Sequence, residues 1–192
     1  MKVLHLLQSN RFSGAENVVC QIIKMLDNHP DIEMVYSSRD GQIREALAEK
    51  QIKFAPMTKL CAKELKRVIK EEKPDVIHAH DMRASFVAAR VCGKIPLISH
   101  IHNNAVNSRG VSAKSILYWF AAKKAKHIFW VSKSSYEGYA FHKSFAKKST
   151  VLYNKMLYII DMTGRSSLLG RDYWKMRLGR DFTGKKSPAK RR

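Results

Sequence analysis

The chain has 192 residues, a hydrophobic fraction of 45%, three cysteines and a formal net charge of +20. The length suits one large domain, or one domain plus a tail, and the apolar content excludes wholesale disorder. Cys20, Cys61 and Cys92 are odd in number, widely spaced and never paired as CxxC, which argues against a disulfide framework or a structural zinc site and fits a reducing cytoplasm.

Lys2–Leu7 reads as a buried first strand, too short for a signal peptide, and no later apolar run approaches the ~18 residues of a membrane span. Glu16–Leu26 has helical spacing, with Val18, Val19, Ile22, Ile23 and Leu26 on one face and Ser13 or Gly14 as its cap. Ile32–Ser37 is a strand, Gln42–Lys50 a helix, Lys53–Pro56 a short strand, and Cys61–Glu72 a charged helix stopped by Pro74. A strand over Asp75–His80 follows, then a helix over Met82–Val91 closed by Gly93, a strand over Pro96–Ile101, a helix over Ser112–Lys126 and a strand over His127–Ser132. Ser135–Phe141 starts another helix, and Thr150–Tyr153 is a last short strand. This alternation predicts an α/β fold: a Rossmann-like open parallel sheet with helices on both faces.

The charge is uneven. Residues 1–110 carry 17 Lys+Arg against 12 Asp+Glu, and residues 111–192 carry 19 against 4. From Lys155 to Arg192 the apolar periodicity fails and glycines punctuate basic residues, so this stretch reads as a basic, poorly packed, flexible tail. A basic half attracts polyanions. One reading is therefore a nonspecific nucleic-acid-binding protein, although no RNP, KH, helix-turn-helix or zinc-finger signature is present. Ile116, Leu117, Trp119 and Phe120 interleave with Lys114, Lys123, Lys124 and Lys126. That helix suits either an anionic membrane surface or, slightly better, a core helix whose lysines face water.

Three polar clusters follow strands, where an open parallel sheet gathers its ligand-binding loops. Ser13-Gly14-Ala15-Glu16 follows the first strand. Gly14 lets backbone approach a ligand, and a helix amino terminus offers N–H groups to a diphosphate. Alternatively the segment is a simple capped turn. His78-Ala79-His80-Asp81 ends the Asp75 strand. Its two same-facing imidazoles could ligate a metal, giving a metal-dependent hydrolase, if other strands complete the ligand set; otherwise these residues close a strand and cap a helix. His100-Ile101-His102-Asn103-Asn104 ends the next strand. Here one histidine is expected to face the core and the other the site edge, with His102 the better placed for ligand contact. Asn103 and Asn104 offer the hydrogen bonds that sugar hydroxyls require, or serve as turn residues.

In this order the clusters resemble the amino-terminal domain of glycosyltransferase family 4, retaining enzymes of the GT-B fold. The residues that carry the likeness are Lys2–Leu7 with Ser13-Gly14-Ala15-Glu16, which is similar to a Gly-Gly-x-Glu loop, then the Pro74–His80 run, His102, the Ala125–Ser132 run and Val151-Leu152-Tyr153-Asn154. The resemblance spans residues 1–154 and leaves the basic tail at 155–192. It implies an acceptor-side domain that transfers sugar from a nucleotide-sugar donor to a glycan or lipid-linked acceptor, in capsular polysaccharide, exopolysaccharide or cell-envelope glycan synthesis. The location implied is cytoplasmic, peripheral at the inner membrane face. By the same resemblance Gly14 approaches the donor diphosphate, and His102, the catalytic residue, contacts the donor sugar. Ser13, His80, Asn103 and Asn104 would line the sugar or acceptor. The family usually works without a metal, so no metal ligand or cofactor is expected.

Such enzymes carry a second, donor-binding domain with a Glu-x7-Glu element, whereas this chain continues into a tail that resembles out-of-frame translation or a truncated product. Little or no transferase activity is expected of the chain alone, and a separate polypeptide could supply the missing half.

Overall fold

The computed structural model describes residues 1–27, 29–102 and 110–153. The tail expected over 155–192, with Asn103 and Asn104, lies outside the described residues.

Six strands alternate with helices in chain order: β1 (Lys2–Leu6), α1 (Gly14–Leu26), β2 (Glu33–Ser37), α2 (Ile43–Glu49), α3 (Ala62–Glu72), β3 (Val76–His80), α4 (Asp81–Val91), β4 (Leu97–Ile101), α5 (Ala113–Lys124), β5 (His127–Trp130), α6 (Lys133–Glu137) and β6 (Ser149–Val151). A 3-10 helix over His142–Lys148 precedes β6. All pairings are parallel, in the order β2-β1-β3-β4-β5-β6. The Rossmann-like open sheet expected from the apolar runs is therefore present.

Strand residues alternate between two cores. One face carries Leu4, Leu6, Ile77, Ala79, Ile101, Ile128 and Trp130 against α3, α4 and α5. The other carries Val3, Leu7, Tyr36, Val76, Ile98 and Phe129 against α1 and α2. Because β1, β3 and β4 are covered on both sides, their residues are almost wholly inaccessible, as a central parallel strand requires. Within the first core a polar seam is fully paired. The Ser99 hydroxyl lies 2.7 Å from that of Ser85 and 2.9 Å from that of Tyr118, and Ser85 donates to the Asp81 carbonyl. The seam ties α4, β4 and α5 together.

Helix ends follow the local chemistry. Lys73 (φ +49) ends α3 in the left-handed conformation just before Pro74, and Gly93 (φ +54) follows the end of α4. Ser112 and Ser132 head reciprocal caps: Ser112 pairs with Ser115 at α5, and Ser132 with Ser135 at α6.

Three local expectations need correction. Lys53–Pro56 forms no regular strand. It runs beside β2 through isolated bridges at Tyr36–Phe54 and Arg39–Met57, and Pro56 lacks the N–H that a continuous ladder needs. The helix expected from Ser135 starts at Lys133 and is over by Glu137, and the final strand is one residue earlier than predicted and shorter. Finally, α5 buries Ser115, Tyr118, Ala121 and Ala122 while exposing Ile116, Leu117 and Phe120, so its outward side is not simply lysine.

Candidate functional site

The carboxyl ends of the adjacent strands β1, β3 and β4 form one rim. Parallel register sets His5 opposite His78, and His80 opposite His100. Side chains two apart on a strand share a face, so His78, His80, His100 and His102 all emerge beside His5, on the α1 side of the sheet. His100 and His102 thus share a sheet face and differ in depth, His100 being buried and His102 lying at the rim. The pleat continues through both residues, and their ring centroids are 4.2 Å apart.

Hydrogen bonds join three of these imidazoles. His5 Nδ1 lies 3.1 Å from His80 Nε2, and His80 Nδ1 lies 2.9 Å from His102 Nε2. Rings of His78 and His100 stack at 5.5 Å with an interplanar angle of 7°. His5, His78, His80 and His100 are buried, and His102 is half-buried at the rim. Burial disfavours the imidazolium in every case. It pushes His5 down to about 3, and His102 to about 4 against an upward pull from Glu16. His78, His80 and His100 are held well below the usual histidine range by burial first and by neighbouring imidazoles second. At neutral pH the cluster is therefore uncharged.

Asp81 locks the rim. It follows His80 directly, opens α4 with φ +69, and its carboxylate accepts a 3.0 Å hydrogen bond from the His102 N–H. Asp tolerates this left-handed conformation better than most residues. One side chain thus fixes the end of β4 against the end of β3.

The β1–α1 loop closes the other side. The Ser9 hydroxyl accepts from the Arg11 N–H at 3.0 Å, and the Asn10 carbonyl accepts from the Ile43 N–H at 2.9 Å, which ties the loop to α2. Ser13 stands at the N-cap of α1, but its hydroxyl donates to the buried Glu16 carboxylate instead of receiving a backbone N–H, so the predicted side-chain cap is replaced. Gly14 opens α1 on the exposed side, and a Cβ there would meet nothing within 4 Å. The chain itself does not require glycine at this point.

These pieces enclose a cavity of about 420 Å³, lined by Ser9, Ser13, Glu16, Arg39, His80 and Asp81 among others. Arg39, an exposed residue, borders it. Arg39 and the helix amino terminus can meet anionic oxygens of a ligand, while the Glu16 and Asp81 carboxylates can accept from its hydroxyls. A separate cavity of about 490 Å³ at the amino ends of the strands is bordered by Lys2, Asp31 and Asp75 and contains none of the predicted site residues.

Of those residues, Ser13, Gly14, His80 and His102 share this rim. Sequence reasoning did not assign a site role to His5, Glu16, Arg39 or Asp81. The repeated His-x-His after two strands hinted at a cluster, but nothing in an apolar β1 marked His5 as its fifth member.

A profile described as Glycosyltransferase Family 4 matches residues 12–154. Among solved structures, HepE from Anabaena in complex with UDP-glucose is similar with a TM-score of 0.68 at 21% identity, covering 80% of this chain and 44% of that one. A glycosyltransferase from Rickettsia africae gives 0.61 at 16% identity, covering 79% and 42%. A UDP-GlcNAc 2-epimerase from Neisseria meningitidis bound to UDP-GlcNAc gives 0.56 at 17% identity, covering 93% and 53%. Likeness at these identities concerns the fold, and the chain spans about half the length of these proteins. No curated protein sequence matches.

Proposed function

Because the chain belongs to Glycosyltransferase Family 4, we propose that its strand-end rim is one wall of a nucleotide-sugar site used in glycosyl transfer. The observation that carries this reading is the convergence of the β1–α1 loop, His80 and Asp81 on one cavity, with His102 hydrogen-bonded to both His80 and Asp81 beside it. Arg39 and the amino terminus of α1 would face the donor diphosphate and neutralise it as it leaves. Gly14 would permit close backbone approach. His102, uncharged and hydrogen-bonded through His80, would contact the donor sugar, with Ser13, Asn103 and Asn104 nearer the sugar or acceptor.

The neighbours bind UDP and UDP-sugars with chains about twice as long, so turnover would need an opposing wall beyond the described residues. We read these residues as the acceptor-side wall of that site. Retention of anomeric configuration and a role in envelope or capsular glycan synthesis belong to the same proposal. No described helix is long and apolar enough to cross a membrane. Exposed Ile116, Leu117 and Phe120 beside Lys123 and Lys124 would let α5 rest on an anionic membrane where a lipid-linked acceptor is held.

The test is NMR titration of the full chain with UDP-glucose and UDP-GlcNAc. Shifts are expected in the β1–α1 loop, Arg39 and His102. A folded chain that shows none at millimolar ligand, or shifts confined to other residues, refutes the proposal.

A further inference from the structure

The histidine cluster holds more ring nitrogens than its own hydrogen bonds use. His100, at the centre of the cluster, is buried with neither Nδ1 nor Nε2 hydrogen-bonded. Buried polar atoms in native proteins nearly always have a partner, and exceptions call for one that is missing, such as an ion.

We propose that His80, His100 and His102 bind a nitrogen-preferring divalent cation of the Zn²⁺ type, with a fourth position open toward the cavity that His80 and Glu16 line. One ligand atom from each of the three imidazoles lies within 4.8 Å of the others. Tetrahedral zinc, with Zn–N of about 2.0–2.1 Å, needs nitrogens roughly 3.3 Å apart. His80 Nδ1 and His102 Nε2 already meet at 2.9 Å, and closure brings in a His100 nitrogen from within 4.8 Å of both. Three neutral imidazoles with one open position match the ligand set that zinc favours over magnesium or calcium, which take oxygen.

The surroundings supply the rest of such a site. If His80 binds through Nδ1, its Nε2–H points at His5 Nδ1, 3.1 Å away, which holds the ring in the required tautomer. Asp81 fixes the backbone at His102. A second grouping, His5, His78 and His80, shares His80 but is entirely buried. The His80–His100–His102 set is favoured because His102 is half-buried at the rim and His80 borders the cavity, which gives an ion a way in. The proposal does not depend on glycosyl transfer, because metal uptake is measured without any nucleotide sugar.

The experiment titrates Zn²⁺ alone into the chelator-treated full chain, followed by calorimetry and elemental analysis of the desalted protein. One equivalent is expected, with affinity reduced at least 10-fold in His102→Gln and retained in His142→Gln, a histidine remote from the cluster. Co²⁺ bound to the unaltered chain should show intense visible d–d bands of tetrahedral nitrogen ligation, a readout that needs no variant. His100→Gln should also weaken binding, provided circular dichroism shows that it is folded. No uptake by the unaltered chain, equal uptake by His102→Gln, or the weak bands of octahedral cobalt overturns the site.

Discussion

Lowering the pH should unfold this domain through its buried histidines, and the size of the effect follows from their surroundings. A histidine in an unfolded chain titrates near 6.5, whereas His5 and His102 in the fold are pushed down to about 3 and about 4 by burial. The unfolded state therefore binds more protons below pH ~6.5, and stability rises with pH in that window. Their contribution is fully present above the unfolded value and is lost as the pH falls toward the folded values. Between pH 7.5 and 5 each of these two rings loses about 2 kcal/mol, or about 4 together. His78, His80 and His100 shift in the same direction and add to the loss. Against a typical total of about 5–15 kcal/mol this is a large fraction. Urea unfolding of the chelator-treated chain at pH 7.5, 6.5, 5.5 and 5.0, followed by circular dichroism and tryptophan fluorescence, should show a midpoint that falls steeply below 6.5 at constant m. A midpoint that stays level down to pH 5 would refute the burial argument.

Other perturbations have separate readouts. Tyr118→Phe removes one partner from the Ser85–Ser99–Tyr118 seam and should cost about 1 kcal/mol in urea unfolding. Asp81→Ala loses the acceptor for the His102 N–H and puts alanine at positive φ, for about 2 kcal/mol, while Asp81→Asn should cost less than half of that; equal losses would remove the backbone argument. Arg39→Ala should weaken UDP-glucose binding about 10-fold at low salt, with the gap narrowing as salt rises. Glu16→Gln removes the upward pull on His102, so its pKa, read by NMR, should fall further below about 4 and not rise.

Much of the fold was legible because the central strands announce themselves as short apolar runs between stop signals, from Val3–Leu7 to the Ile128–Trp130 run that ends β5. Pattern fails where a segment lies beside an edge without joining it, as 51–57 does next to β2. The rim's place was legible too, since Ser13 and Gly14 lie in the loop after β1, His80 ends β3 and His102 follows β4. What could not be read was register. His5 sits mid-strand among leucines, and only its alignment with His78 brings it into the cluster. Nor does a sequence show that Glu16 turns inward to hold Ser13, because that depends on how α1 lies across the sheet.

The strand-to-helix joint at His80–Asp81 has no connecting residues at all, unlike the stretch from His102 to Ser112. Evolution therefore has no slack to work with at the first crossing. One inserted residue would rotate the start of α4 and pull the Asp81 clasp away from its neighbour. Insertions are tolerated in the longer crossing far more readily than at this joint, where any added residue breaks the bond from the His102 N–H to Asp81.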